Sequence, residues 1–118
     1  MTGKFTLKKT KKGNFVFHLK ASNGQVILTS QPYADKRGAL NGIESARRNA
    51  GKDANFERRT AANGQPYFVL KAANTLVIGQ GEMYSAKSAM ENGIASVMRN
   101  APDAALDATR TAALAAPL

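Results

Sequence analysis

The chain has no cysteine and no tryptophan, and only one histidine among its 118 residues. Without cysteine there is no disulfide framework, no thiol nucleophile and no Cys-ligated zinc or iron–sulfur centre. The single histidine, His18, excludes a multi-histidine metal site and leaves one candidate for Ser-His-Asp chemistry. Acidic residues are scarce: 8 Asp+Glu stand against 17 Lys+Arg, giving a net charge of +9 and a pI near 10.2. No apolar run approaches the roughly 18 residues a membrane span needs. The charges of Met1 to Lys12 are not followed by the apolar core of a secretion signal. A soluble, cytoplasmic chain is expected.

What the chain does have is an internal repeat. A shift of 51 residues lays Phe5 on Phe56, Gly13 on Gly64, Phe17 on Phe68 and Leu19-Lys20-Ala21 on Leu70-Lys71-Ala72. Val26-Ile27 falls on Val77-Ile78, Tyr33 on Tyr84, Asn41-Gly42-Ile43 on Asn92-Gly93-Ile94 and Arg48-Asn49-Ala50 on Arg99-Asn100-Ala101. The ungapped comparison from Phe5 to Ala50 holds 18 identities in 46 positions, where ordinary residue frequencies give about three. This is a tandem duplication.

Each copy reads as three strands and a helix. Phe5-Thr-Leu-Lys-Lys alternates apolar and polar residues as a half-buried strand does. Turns follow at Lys12-Gly13-Asn14 and at Asn63-Gly64, where positive φ is cheap. Phe15, Phe17 and Leu19 alternate through a second strand, Asn23-Gly24 marks a second hairpin, and Val26-Ile27-Leu28-Thr29 is a β-branched third strand. The period then changes to that of one helical face: Ala39, Ile43, Ala46 and Ala50 in the first copy, Met90, Ile94, Val97 and Ala101 in the second. Asp35 is expected to cap the first helix and Ser85 the second, with Tyr84 as a staple. Gly51 and Pro102 end them.

The predicted fold is α+β: tandem β-β-β-α repeats, an antiparallel sheet and both helices on one face, related by a pseudo-two-fold axis. Some fifty residues bury too little apolar surface alone, so the copies should share one core, in a pseudo-dimeric monomer rather than an obligate oligomer. Residues 1–54 form the first repeat, 55–103 the second, and 104–118 an Ala-rich, loosely ordered tail, with a short helix capped by Asp103 as its alternative. One sheet of six strands and two of three are both open. Gly79 and Gly81 interrupt the third strand of the second copy.

Asn41/Asn92 and Gly42/Gly93 stand mid-helix in both copies, where each costs about 0.5–1 kcal/mol against Ala. For glycine the expected reason is close backbone approach, where a Cβ would clash with the sheet or the partner helix. For the asparagines there are two readings: a hydrogen bond to a strand end or loop of the other copy, or a ligand-binding amide pair related by the pseudo-dyad.

The run Gly24-Gln-Val-Ile-Leu-Thr-Ser30 followed by Tyr33, with Asn41-Gly-Ile-Glu-Ser45 and Arg48-Asn49-Ala50, resembles the repeat of the YegP-like family of small uncharacterised bacterial proteins. The second copy carries Tyr84, Lys87, Asn92-Gly-Ile-Ala-Ser96 and Arg99-Asn100-Ala101. The resemblance spans residues 4 to about 103. It implies the duplicated βββα fold and no known activity, cofactor or catalytic residue.

No catalytic constellation emerges, and no enzyme, cofactor or metal site is expected. His18 lies mid-strand and its counterpart is Val69, so a sheet-surface histidine accounts for it. The eight carboxylates (Asp35, Glu44, Asp53, Glu57, Glu82, Glu91, Asp103, Asp107) form no pairing repeated between copies. No glycine pattern fits a phosphate loop with its lysine.

Charge is more informative. Met1 to Ala54 carries 11 basic and 3 acidic residues, whereas Asn55 to Leu118 carries 6 and 5. The excess gathers at Lys4, Lys8, Lys9, Lys11, Lys12 and Lys20 around the first hairpin. Lys8, Lys9, Lys11, Lys12 and Lys20 are candidate contacts to nucleic-acid phosphates. The competing reading is a solvated hairpin whose lysines guard an edge strand. The strand order partly resembles the double-stranded-RNA-binding fold, which begins with a helix that is missing here. A third reading uses Val16, Tyr67 and Val69 on the outer sheet face as an oligomerisation or protein-partner surface, against ordinary scattered surface apolar residues.

Overall fold

The computed structural model describes residues 3–106. The first repeat comprises β1 (Lys4–Lys9), β2 (Phe15–Lys20), β3 (Val26–Ser30) and α1 (Lys36–Asn49). A 3-10 turn at Asp53–Asn55 leads to β4 (Phe56–Thr60), β5 (Pro66–Lys71), β6 (Val77–Gln80) and α2 (Lys87–Asn100). A second 3-10 turn, Ala101–Asp103, precedes a short strand, β7 (Ala105–Leu106). The two βββα units therefore form as the sequence pattern dictates.

All strands join one sheet in the order β4-β5-β6-β3-β2-β1-β7, which settles the choice between one sheet and two. The repeats meet where β3 and β6 pair antiparallel, with Thr29 opposite Gln80 and Ser30 opposite Gly79. Thr29 and Gln80 are equivalent positions, so a local two-fold axis passes between them. Gly79, which reads in the sequence as an interruption, makes this junction possible. A Cβ there would lie 2.6 Å from the Thr29 carbonyl oxygen, closer than a packed backbone tolerates.

Both helices cover one face and close a single core. Phe5, Leu7, Phe17 and Leu19 of the first repeat, Phe56, Phe68 and Leu70 of the second, and Ala39, Ile43, Met90, Ile94 and Val97 of the helices belong to one buried cluster. The ring geometry is reproduced between copies. Phe5 meets Phe17 edge-on at 5.7 Å and Phe17 stacks on Tyr33 at 6.2 Å; Phe56 meets Phe68 at 5.7 Å and Phe68 stacks on Tyr84 at 6.3 Å. These tyrosines explain the mid-helix glycines. A Cβ on Gly42 would sit 2.4 Å from the Tyr33 hydroxyl oxygen, and one on Gly93 2.2 Å from that of Tyr84. The close neighbour is thus the ring of the copy's own tyrosine, and not the backbone of the sheet or the partner helix that the sequence suggests. Burial raises both phenol pKa values above the ordinary tyrosine value.

The helix starts correct one expectation. Asp35 caps α1, its carboxylate accepting from the Gly38 amide at 2.7 Å. In α2 the cap position is Ala86, not Ser85, and no side chain caps it. The second helix keeps the register of the first, which leaves Ser85 one residue outside.

The tail also departs from expectation at its start. Ala104 is buried, and Ala105 and Leu106 pair in parallel with Lys4 and Phe5 of β1. Arg47 of α1 donates from Nε and Nη2 to the Ala104 carbonyl at 3.1 and 2.9 Å, and its guanidinium lies 5.4 Å from the Phe5 ring centroid. The chain is therefore held through Leu106, so order extends beyond residue 103. The rest of the expected tail, 107–118, lies outside the described residues.

Candidate nucleic-acid interface

Strand alternation divides the lysines of the first hairpin. Lys4, Thr6 and Lys8 of β1 share the face away from the helices with Val16, His18 and Lys20 of β2, through the pairs Lys4–Lys20, Thr6–His18 and Lys8–Val16. Lys9 belongs to the opposite face, where its Nζ lies 5.9 Å from the Phe15 ring centroid. Lys11 and Lys12 are exposed in the turn beyond the strands. Of the five candidate contacts, the outer face thus brings together Lys8 and Lys20, and adds Lys4.

The equivalent face of the second repeat carries Glu57 and Arg59 on β4 and Tyr67, Val69 and Lys71 on β5. Here the charges cancel. Glu57 bridges two cations, one carboxylate oxygen accepting from Arg59 Nε and the other from Lys71 Nζ. The Lys71 hydrogen bond foremost, then that of Arg59, holds the Glu57 carboxyl below its ordinary pKa. Near the helix side of the sheet, Arg58 contacts Asp53 and Glu91, each at 2.8 Å. Its hydrogen bonds, with Glu91 the larger cause, raise the guanidinium pKa.

In the first repeat the position of Glu57 is held by Thr6, while Lys8 and Lys20 stand where Arg59 and Lys71 do. Among the described residues no ion pair involves Lys4, Lys8, Lys9, Lys11, Lys12 or Lys20. Two adjoining depressions mark this surface. One, of about 180 Å³, is lined by Thr6, Lys8, His18, Lys20 and Val26. The other, of about 370 Å³, is lined by Lys8, Lys9, Thr10, Lys11, Val16 and His18. They share Lys8 and His18, so the basic strip is continuous from Lys20 to Lys11.

The hydrogen-bond reading of the asparagine pair does not hold: Asn41 and Asn92 are both exposed on their helices, and among the described residues no hydrogen bond ties either to a strand end or loop. Asn41 borders an open groove of about 270 Å³ between α1 and the β5–β6 hairpin. Other asparagines do bond in a repeated way: Asn49 and Asn100 donate from Nδ2 to the Ser45 and Ser96 carbonyls at 2.8 and 2.7 Å, and Asn23 and Asn74 accept at Oδ1 from the Gln25 and Leu76 amides at 3.0 and 3.1 Å. The outer face is also less apolar than the sequence suggests: Val69 is only 1% exposed, while Val16 and Tyr67 are half-buried. Among the described residues the exposed large apolar side chains are Leu76 and Met83, which sequence pattern alone did not single out. No helix of the described residues is long and apolar enough to cross a membrane. Among those residues no group of three or more His, Asp or Glu side chains could hold a metal ion.

The model of the domain of unknown function DUF1508 matches twice, over residues 11–57 and 61–107. The chain belongs to this family. Its relatives include a UPF0339 protein of Mannheimia succiniciproducens, 52% identical over 99 residues that cover 84% of this chain and 88% of the relative. YegP of Escherichia coli K12 is 47% identical over 100 residues, covering 85% of this chain and 91% of the relative. Two solution NMR structures share the DUF1508 tandem fold. That of a UPF0339 protein from Shewanella oneidensis superposes with a TM-score of 0.84 at 47% identity, covering 90% of each chain. That of E. coli YegP gives 0.85 at 44% identity over 90% of this chain and 91% of the other. These relatives are uncharacterised, and the function of the DUF1508 repeat is unknown. The family unit runs from the β1–β2 turn into β4, and again from the β4–β5 turn through β7. In that phase β7 matches the start of β4, and Asp103-Ala104 repeats Asp53-Ala54 fifty residues on.

Proposed function

We propose that the chain is a non-enzymatic, cytoplasmic binding protein that takes nucleic acid on the outer sheet face of its first repeat. One observation carries the reading: the same sheet position is neutralised from within in the second repeat and left cationic in the first. A strip of lysines without carboxylate partners attracts polyphosphate and gains from counterion release. Lysines contact phosphate as point charges, so the recognition is of backbone and not of base sequence. The turn lysines Lys11 and Lys12 extend the strip, and Lys9 strengthens the local field from the other face.

Fluorescence anisotropy with labelled single-stranded DNA and RNA, at two salt concentrations, tests this. Binding should weaken with salt, and each lysine removed from the strip should lower the log–log slope by about one. Lys8→Ala with Lys20→Ala should lower it by about two. Absence of binding at low salt, or affinity indifferent to salt, contradicts the reading.

A further inference from the structure

We infer that the 180 Å³ depression at Thr6, Lys8, His18 and Lys20 is a discrete site for one phosphate group, occupying the place that the Glu57 carboxylate fills in the second repeat. It rests on the nucleic-acid reading for its biological ligand, but the site itself is argued from the duplication.

The duplication supplies the geometry. In the second repeat an anion sits on the sheet between two cations, each oxygen of Glu57 taking one of them. The backbone beneath is the same in both repeats. Glu57 lies opposite Val69, with Lys71 two residues along β5; Thr6 lies opposite His18, with Lys20 two residues along β2. The first repeat keeps both cations, as Lys8 and Lys20, and exchanges the long acid for a short hydroxyl. Thr6 is almost fully buried, and with Lys8, His18, Lys20 and Val26 it lines the 180 Å³ depression. The opposing residue changes in the same place, from Val69 to His18. Loss of the internal acid converts a self-neutralised cluster into a receptor for an external oxyanion.

A phosphate suits the receptor better than a carboxylate. It offers more acceptor oxygens and more charge to two ammonium groups. The group is either one link of a nucleic-acid backbone or a free phosphate.

Reciprocal exchange between the repeats tests the site. The probes are inorganic phosphate and a short single-stranded oligothymidylate, followed by amide chemical shifts at fixed ionic strength. In the unaltered chain, phosphate should shift Thr6, Lys8, His18 and Lys20 saturably, with one site per chain. Thr6→Glu installs the acid of the second repeat and should weaken phosphate binding at least tenfold. Lys52→Gln, which removes the same unit of charge at an exposed position in the linker, should change it less than twofold. Glu57→Thr frees Arg59 and Lys71 and should create a second, weaker phosphate site on the other repeat. Equal effects of Thr6→Glu and Lys52→Gln, or no saturable shift with phosphate, overturn the discrete site. Should Thr6→Glu fail to fold, Lys20→Gln measures the same loss. Oligothymidylate that binds while phosphate does not would leave the nucleic-acid reading standing and remove this site. The reverse outcome would keep the site and make its ligand a free phosphate.

Discussion

The two repeats agree inside and disagree outside. Their rings stack at matching distances, 6.2 and 6.3 Å, and a helix glycine admits the tyrosine in each. On the outer face, one repeat closes its charges on Glu57 and the other leaves its lysines open around Thr6. A shared core restricts change because its side chains are close-packed and each substitution disturbs its neighbours. A solvated face carries no such restriction, so divergence accumulates there, and with it the difference in what each half can bind.

The comparison breaks most visibly in the core. Phe17→Ala and Phe68→Ala should each cost about 3–5 kcal/mol, with similar losses because the two rings have similar partners. Denaturant unfolding followed by circular dichroism should show one transition in both variants. A second transition, or a loss confined to one repeat, would mean that the halves fold separately.

A smaller effect sharpens the helix starts. Asp35→Ala should remove about 1 kcal/mol, and Ala86→Asp should add about as much by giving α2 the cap it lacks. Thermal melts of the two variants should move in opposite directions. Smaller still is the turn at Thr75, a β-branched residue at φ 69° where the first repeat has Gly24 at φ 86°. The left-handed conformation costs a residue with a Cβ about 1–2 kcal/mol, and glycine loses part of that gain to chain entropy. Thr75→Gly should therefore stabilise by about 0.5 kcal/mol. A destabilised Thr75→Gly would show that the Thr75 hydroxyl, which donates to the Asn74 carbonyl at 2.5 Å, outweighs the backbone strain.

Much of this architecture was legible in the residues. The repeat, the strand and helix periods, the Asp35 cap and the need for glycine at 42 and 93 follow from pattern and elementary sterics. What escaped were features set by partners distant in sequence. Gly79 reads as a break until β3 lies beside it. Ser85 is a better cap than Ala86 in isolation, yet the helix takes the register its twin takes. The docking of Ala104–Leu106 depends on Arg47, 57 residues away. A signal existed in the recurrence of Asp53-Ala54 as Asp103-Ala104, but its spacing is fifty and not fifty-one. For the interface, clustering of lysines was visible, whereas their division between faces needed the β1–β2 register. The significance of Thr6 needed the ion pairs of Glu57.

Amide shift mapping of the whole chain with single-stranded oligonucleotide at low salt tests the central claim most directly. The account predicts changes concentrated on Lys4, Thr6, Lys8, His18 and Lys20, fading as salt is added, with Glu57, Arg59 and Lys71 undisturbed. Changes centred on the second repeat, or spread equally over both, would contradict it.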